Sequence, residues 1–197
     1  LDLKLNTAGK HYVNNATALL TLTASLKLNP SKAISALGEW SPSAGRGKVS
    51  KIKFKNGNIQ ITIHLIDESY NANPSSMRCS LETLASIFTN KKNKRKHKRR
   101  IAVIGDMLEL GSSEVKEHVN ISKFAKLSQI DKIYCVGPRM RKFYDVLASS
   151  KQGSWTETAQ QMQNVLVNNL KNGDIVMYLV GGCEFDSKKT NVLKDFF

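Results

Sequence analysis

Two short segments rich in carboxylate and amide side chains are the places where this chain could carry out chemistry. They are residues 67–74 (DESYNANP) and 105–111 (GDMLELG). Carboxylates accept hydrogen bonds from ribose hydroxyls or help to hold a divalent cation. Amides donate and accept at once, which suits a ligand with both an ammonium and a carboxylate group. Asp, Asn and Pro are also common in strand-to-helix turns for backbone reasons alone, so a purely structural role is the alternative.

The elements around these segments predict an α/β fold. Apolar runs predict strands at 49–55, 59–66, 100–104, 132–136 and 174–179, and amphipathic periods predict helices at 12–28, 30–37, 75–88, 114–127, 140–147 and 157–170. Asn56-Gly57 predicts a hairpin between the first two strands. The later alternation predicts a Rossmann-like, mostly parallel sheet with helices on both faces. Ligands bind outside the carboxyl ends of such strands, where both polar segments fall, as do 137–138 and 181–182.

Before residue 46 the pattern is helical. In the first helix, apolar and small residues recur at three- and four-residue spacing and predict one packed face; they are Val13, Ala16, Leu19, Leu20, Thr23 and Leu26. Asn29 and Pro30 are expected to begin a second helix, and Gly38 to end it. The turn-forming segment 41–47 predicts a boundary or hinge. We therefore expect two units, residues 1–45 and 46–197.

The charge is concentrated in one place. Eight Lys and Arg residues lie in the segment 91–100 (KKNKRKHKRR), which leaves +6 of the net +14 for the rest of the chain. We expect a solvated loop there; a phosphate-binding patch for nucleic acid is the alternative, and a basic surface would also attract acidic nucleotides. No apolar run is long enough to cross a membrane. Three scattered cysteines indicate a reduced, cytoplasmic protein.

The isolated reactive side chains give no catalytic arrangement. His118 follows Glu114 by one helical turn, which predicts an exposed pair on a helix surface. Cys135 lies in a buried-type strand and is expected to be a core residue. No cysteine or histidine cluster has the spacing of metal ligands. We therefore assign neither a catalytic residue nor a metal ligand from these residue types.

Four segments, in order, resemble the Mur ligase family and within it the ligases that add D-alanyl-D-alanine. They are 9–16 (GKHYVNNA), 45–46 (GR), 67–77 (DESYNANPSSM) and 101–111 (IAVIGDMLELG). The first is similar to the family's Gly-x-His-Asn-x-x-Asn-Ala element near the end of the central ATPase domain. The second is similar to the Gly-Arg at the hinge into the last domain. The resemblance therefore implies that 1–45 is the end of a central domain and 46–197 a Rossmann-like carboxy-terminal domain.

The resemblance also implies roles for single residues. Asn15 would contact the adenine of ATP, Arg46 would reach the nucleotide across the hinge, and Glu68 would hold the ribose. The residues implied to place the incoming dipeptide are Asn71, Asn73 and, in the loop after Gly105, Asp106. The resemblance implies ATP and Mg²⁺ as cofactors, the latter held mainly elsewhere in the enzyme.

The activity implied is that of an ATP-dependent ligase of peptidoglycan precursor synthesis. Such enzymes convert the carboxylate of UDP-N-acetylmuramoyl-tripeptide to an acyl phosphate, which the amine of D-alanyl-D-alanine attacks. A monomer in the cytoplasm is expected. Two alternatives stay open, namely a non-catalytic remnant that binds the dipeptide and nucleic-acid binding through 91–100.

The sequence departs from the family pattern at three points. The 197 residues contain no Gly-x-x-Gly-Lys-Thr/Ser phosphate loop, so we expect this polypeptide alone not to use ATP productively. They begin without Met, which suggests a longer product. Tyr12 stands where the first Asn of the His-Asn element is expected. Val180-Gly181-Gly182 replaces a Lys-Gly-Ser turn, so a charge and a hydroxyl are missing there.

Overall fold

A six-stranded sheet forms the centre of the computed structural model, which describes residues 2–87 and 98–180. Its strands are β1 (Lys48–Asn56), β2 (Ile59–Asp67), β3 (Arg100–Gly105), β4 (Lys132–Val136), β5 (Gln152–Thr156) and β6 (Ile175–Leu179). The spatial order is β1-β2-β6-β3-β4-β5, and among these described strands only β1 and β2 pair in antiparallel fashion. The predicted mostly parallel α/β sheet is confirmed.

Helices cover both faces of this sheet. The helices are α1 (Lys10–Ser25), α2 (Pro30–Glu39), α3 (Pro74–Ser86), α4 (Glu114–Asn120), α5 (Met140–Val146) and α6 (Ala159–Asn169). Alternate residues of each strand point to opposite faces, so β3 sends Ala102 and Ile104 to one core and Ile101 and Val103 to the other. The first core includes residues of α3 and α5, and the second includes residues of α6. None of the described helices has the length and apolar character that a bilayer crossing needs.

The structure differs from the prediction at three elements. Helix α2 continues through Gly38 and ends at Glu39, because a helix extended to Pro42 would place its ring against the carbonyl four residues earlier. The predicted helix 114–127 ends at Asn120 and is followed by two short 3-10 turns; the Ser122 hydroxyl binds the Val119 carbonyl at 2.6 Å and competes with the helical ladder. Strand β5 was not predicted, since its half-exposed residues show no apolar alternation.

Helix α1 differs from the prediction in what it buries. Only Ala16 and Thr23 are buried, whereas Val13, Leu19 and Leu26 are 55%, 45% and 59% exposed. The periodicity therefore predicted the helix correctly, but its apolar face is not packed against another described element as we expected. The described residues leave most of this apolar face uncovered.

Only the last three residues of the basic segment 91–100, for which we expected a solvated loop, are among the described residues. Residues 91–97 lie outside the described residues, as do 181–197. Of the remaining charges, Arg100 opens β3 and is only 7% exposed, and Arg99 forms a two-point ion pair with buried Asp174. Arg99 and Arg100 therefore belong to the folded sheet.

Candidate functional site

The carboxyl ends of β2, β6, β3 and β4 meet along one edge of the sheet, which brings the two polar segments of the sequence together. Glu68 leaves β2 with its backbone N–H bonded to the carbonyl of Tyr178 in β6, at 2.9 Å. Gly105, at the end of β3, faces Val180, which follows β6. Glu68 and Asp106 are thus separated by one intervening strand, or about 10 Å at the usual strand spacing. The edge predicted from the strand rule exists, with both segments on it.

Asp67 ties the predicted hinge to the end of β2. One carboxylate oxygen accepts hydrogen bonds from the backbone and hydroxyl of Ser69, at 3.1 and 2.6 Å. The other accepts from the Gly45 N–H at 2.8 Å, and the Asp67 carbonyl accepts from Gly47 N–H at 2.7 Å. Both glycines have positive φ, 76° and 87°, so the turn suits glycine. Asp67 therefore has a structural task, and sequence reasoning did not identify it.

Arg46 lies between Gly45 and Gly47, on the turn that is hydrogen-bonded to Asp67. Its guanidinium stacks over the ring of Tyr70, 3.8 Å from the centroid. Its backbone carbonyl accepts a hydrogen bond from the Tyr12 hydroxyl of α1. The side chains of Arg46 and Tyr70 are exposed, so a planar cation is presented to solvent on an aromatic support. Tyr70 belongs to the predicted polar segment but was not singled out there.

Glu68 is a half-buried carboxyl beside this turn. Burial first, and the neighbouring Asp67 carboxylate second, raise its pKa to about 7. A Cβ placed on Gly47 would lie 3.1 Å from a Glu68 carboxylate oxygen and 3.0 Å from the Tyr12 hydroxyl. Within the described part of the chain its carboxylate accepts no hydrogen bond. The charged form of Glu68 is therefore not stabilised by hydrogen-bond donors of the described residues. This is expected for a carboxylate that accepts hydrogen bonds from a ligand.

This raised pKa predicts a pH-dependent stability. Between about pH 4.5 and pH 7 the folded chain holds a proton on Glu68 that the unfolded chain has lost, so stability falls as pH rises through this window and levels off above it. Glu68→Gln cannot ionise and should be more stable than wild type at pH 8 by about 1–2 kcal/mol, after discounting for partial solvent exposure. Urea unfolding at pH 5 and pH 8 measures the difference. Glu157→Gln, at an exposed carboxylate, should change neither value; equal pH profiles for Glu68→Gln and wild type would contradict the assignment.

The two asparagines of the polar segment are placed differently. Asn73 caps α3, because its side-chain oxygen accepts from the Ser76 N–H at 2.9 Å while the Ser76 hydroxyl accepts from the Asn73 N–H at 3.0 Å. Its amide NH₂ remains available. Asn71 is exposed, and its amide makes no hydrogen bond within the described residues. Asn71 is therefore the asparagine with full capacity for a ligand.

Asp106 holds the start of α5. Its two carboxylate oxygens accept from the backbone N–H groups of Met140 at 2.9 Å and Arg139 at 3.3 Å. The Arg139 side chain also contacts Asp106 at 3.4 Å and Glu114 at 2.7 Å. Asp106 thus contributes to helix capping whatever else it binds. Arg139 was not predicted, although the strand-end rule pointed to residues 137–138 beside it.

The expected surface pair between His118 and Glu114 was wrong. His118 is fully buried. Its Nε2 accepts from the Met107 N–H at 3.0 Å, so Nδ1 carries the proton and donates to the Glu114 carbonyl at 2.8 Å. The imidazole therefore braces the loop after β3 from inside. The core role predicted for Cys135 is confirmed, as it is fully buried in β4 and burial raises its pKa.

A cleft of about 240 Å³ lies between α1 and α3. Its polar lining includes Lys10, His11, Cys79, Glu82 and Lys126. None of the six residues proposed for ligand contact lines it. Asn15, the expected adenine contact, is exposed on α1, and its side chain makes no hydrogen bond within the described residues. The structure thus places Arg46 and Glu68 at one turn and Asn71 three residues after Glu68 in the chain, whereas Asn15 lies on α1.

Metal binding finds no support in the same region. In residues 2–87 and 98–180, no three His, Cys, Asp or Glu side chains converge on one point. The Asp67 carboxylate is already engaged by Gly45 and Ser69. The described residues therefore contain no preformed metal site built from three such side chains.

Comparisons with known proteins identify the family to which this fold is similar. Residues 57–181 match a family model described as Mur ligase, glutamate ligase domain. The UDP-N-acetylmuramoyl-tripeptide–D-alanyl-D-alanine ligase of Rickettsia prowazekii is 23% identical over 177 residues, which is 90% of this chain and 36% of that protein. The Escherichia coli ligase of the same name is 30% identical over 139 residues, 70% of this chain and 27% of that protein. The chain thus spans about a third of the length of these relatives.

Solved structures share the fold. MurF of Acinetobacter baumannii has a TM-score of 0.70 at 23% identity, covering 98% of this chain and 39% of that one. MurF of Thermotoga maritima, solved with ADP, has a TM-score of 0.71 at 20% identity and covers 99% and 40%. At identities this low, the structural similarity shows the fold alone, and the function has to be inferred from the site.

Proposed function

This chain belongs to the Mur ligase family, and on that premise we propose that it takes part in the ATP-dependent joining of D-alanyl-D-alanine to UDP-N-acetylmuramoyl-tripeptide in the cytoplasm. We assign residues 46–197 to the carboxy-terminal domain and 1–45 to the end of the central domain. The exposed apolar face of α1 fits this division, because the remainder of a central domain would cover it.

One observation carries the nucleotide part of the proposal. The Glu68 carboxyl is half-buried, lacks a donor within the described residues, and sits at the turn that presents Arg46. Ribose hydroxyls would supply donors to Glu68, and the guanidinium would attract phosphate oxygens. Donors of this kind favour the charged carboxylate, so nucleotide binding near pH 6.5 would release a proton. Asn15 remains the proposed adenine contact.

The dipeptide part rests on the exposed amides beside this carboxyl. Asn71 can bind both ends of a zwitterion, and Asn73 can add its free NH₂ while it caps α3. We also keep Asp106 among the proposed dipeptide contacts, because its carboxylate can accept further hydrogen bonds besides those from α5. The contribution of these groups to the reaction would be positioning, since closure about the turn brings the amine to the acyl carbon. We assign no step to a metal, because no three metal-ligating side chains converge in residues 2–87 and 98–180.

Titration calorimetry with D-alanyl-D-alanine tests the proposed amide contacts. Asn71→Ala should weaken binding about tenfold or more, because a hydrogen bond to a charged group contributes about 1.5–3 kcal/mol. Asn73→Ser should give a smaller loss, since Ser keeps the cap of α3 but lacks the amide.

Asn168→Ala serves as the matched control. Its amide binds the Asn164 carbonyl on the exposed side of α6, away from this edge, so dipeptide binding should be unchanged. Equal affinity of Asn71→Ala and wild type, or no binding by wild type at millimolar dipeptide, would exclude this amide pair as the dipeptide site.

A further inference from the structure

The side chain of Tyr12 connects α1 to the turn that carries Arg46. Its hydroxyl donates to the Arg46 carbonyl, 34 residues along the chain. Burial first, and the Glu68 carboxylate second, raise the pKa of this phenol, so the hydroxyl keeps its proton and remains a donor. The contact crosses the predicted boundary between the two units.

Tyr12 is itself held in place by aromatic neighbours. Its ring centroid lies 3.9 Å from that of His11 and 5.4 Å from that of Trp40, at tilted angles. Its hydroxyl fills the space beside Gly47, where a Cβ would approach it to 3.0 Å. A ring packed in this way presents its hydroxyl from a defined direction.

Arg46 is fixed from the opposite side by Tyr70. The Tyr70 ring supports the guanidinium at 3.8 Å, and the Tyr70 N–H donates to the Gly45 carbonyl at 3.0 Å. The Arg46 N–H donates to Ser43 at 3.1 Å. The Tyr12 hydroxyl therefore holds the backbone of Arg46 from α1, while Tyr70 contacts the side chain.

We propose that Tyr12 is a positioning residue that sets the Arg46 backbone so that the guanidinium rests on Tyr70. This proposal rests on the nucleotide role proposed for Arg46. It also implies a coupling, because a movement of α1 relative to the sheet would break the Tyr12–Arg46 bond and release the guanidinium from its support. The arginine would then be presented to a nucleotide only when the two units hold this arrangement.

Nuclear magnetic resonance of the arginine side chains tests the proposal on the 197-residue chain. The Arg46 Nε–H resonance, assigned through its loss in Arg46→Lys, should be shifted upfield by the Tyr70 ring current. Tyr12→Phe, which keeps the ring but loses the donor, should move this resonance most of the way to its position in Tyr70→Leu. An Arg46 resonance unchanged by Tyr12→Phe would overturn the proposal.

A matched control separates positioning from general loosening. Tyr144→Phe removes a hydroxyl that donates to the Gly153 carbonyl at 3.4 Å, between α5 and β5, and should leave the Arg46 resonance unchanged. A check that needs no variant is the wild-type nuclear Overhauser effect between the Tyr12 and Trp40 rings. Its absence would contradict the packing on which the proposal depends.

A second titration distinguishes failure of this proposal from failure of the proposed function. ADP added to wild type should move the Arg46 resonance, and Tyr12→Phe should weaken that response. If Tyr12→Phe releases Arg46 but ADP has no effect on wild type, Tyr12 positions the arginine and the residues of this chain do not bind the nucleotide by themselves. If ADP moves Arg46 equally in both proteins, the nucleotide role holds and Tyr12 does not position it.

Discussion

Replacing Asp174 by alanine is expected to lower the free energy of unfolding by about 3 kcal/mol or more, the largest single effect we predict. Asp174 is 2% exposed and binds Arg99 through both carboxylate oxygens, at 2.9 and 2.6 Å. It also accepts from the Lys171 N–H at 2.7 Å. Alanine would leave the Arg99 guanidinium partly buried without its partner, and removal of one member of a buried pair costs about 3–5 kcal/mol.

The position of this pair explains why its loss should affect the whole sheet. Arg99 directly precedes β3 and Asp174 directly precedes β6, two adjacent central strands. The Ile175 N–H donates to the Arg99 carbonyl at 2.9 Å. The ion pair therefore fixes the register of the strands whose opposite ends form the proposed site.

Urea unfolding of Asp174→Ala and Asp145→Ala measures the effect against a control of the same chemistry. Asp145 pairs with Arg141 one turn away on α5, with side chains 45% and 52% exposed. Loss of that exposed pair should change stability by about 0.5 kcal/mol or less. Similar values for the two variants would mean that the Asp174 pair is solvated and not part of the core.

The sequence predicted the sheet because its signals are local. Continuous apolar runs such as 132–136 identified β4 with its observed bounds, and Asn56-Gly57 identified the hairpin. The strand-end rule then placed Glu68 and Asp106 on one edge without knowledge of the strand order. Strand β5 was not predicted, because the half-exposed and mostly polar residues of this edge strand show no apolar periodicity.

Which polar residues have structural roles and which are available to a ligand could not be predicted, because this depends on hydrogen-bond partners that are distant in sequence. Asp67 is engaged by Gly45, 22 residues away, and Asp106 by Met140, 34 residues away. Asn73 is engaged locally, so the Asn-Pro pattern could have identified its cap. What remains with free hydrogen-bonding capacity, chiefly Glu68 and Asn71, emerges only when these long-range bonds are known.

Because Asp106 depends on a distant partner, substitution of Gly137, which lies against it, should have the second largest effect on stability that we predict. Gly137 has φ of 101°, and a Cβ there would lie 2.5 Å from both the Asp106 Cγ and one of its carboxylate oxygens. Alanine would therefore be strained at its own backbone and would push Asp106 off the N–H groups of α5. We expect Gly137→Ala to lose about 3 kcal/mol, combining the backbone strain with loss of a helix cap.

Gly173→Ala isolates the effect on Asp106. Gly173 has a similar φ of 90°, but nothing lies within 4 Å of the position its Cβ would take. Its alanine variant should therefore show the backbone strain alone, about 1–2 kcal/mol. The difference between the two variants in urea unfolding measures what the Asp106 contact to α5 contributes. If the two lose equal stability, Asp106 moves aside freely, and its carboxylate is then available to a dipeptide without opposing the start of α5.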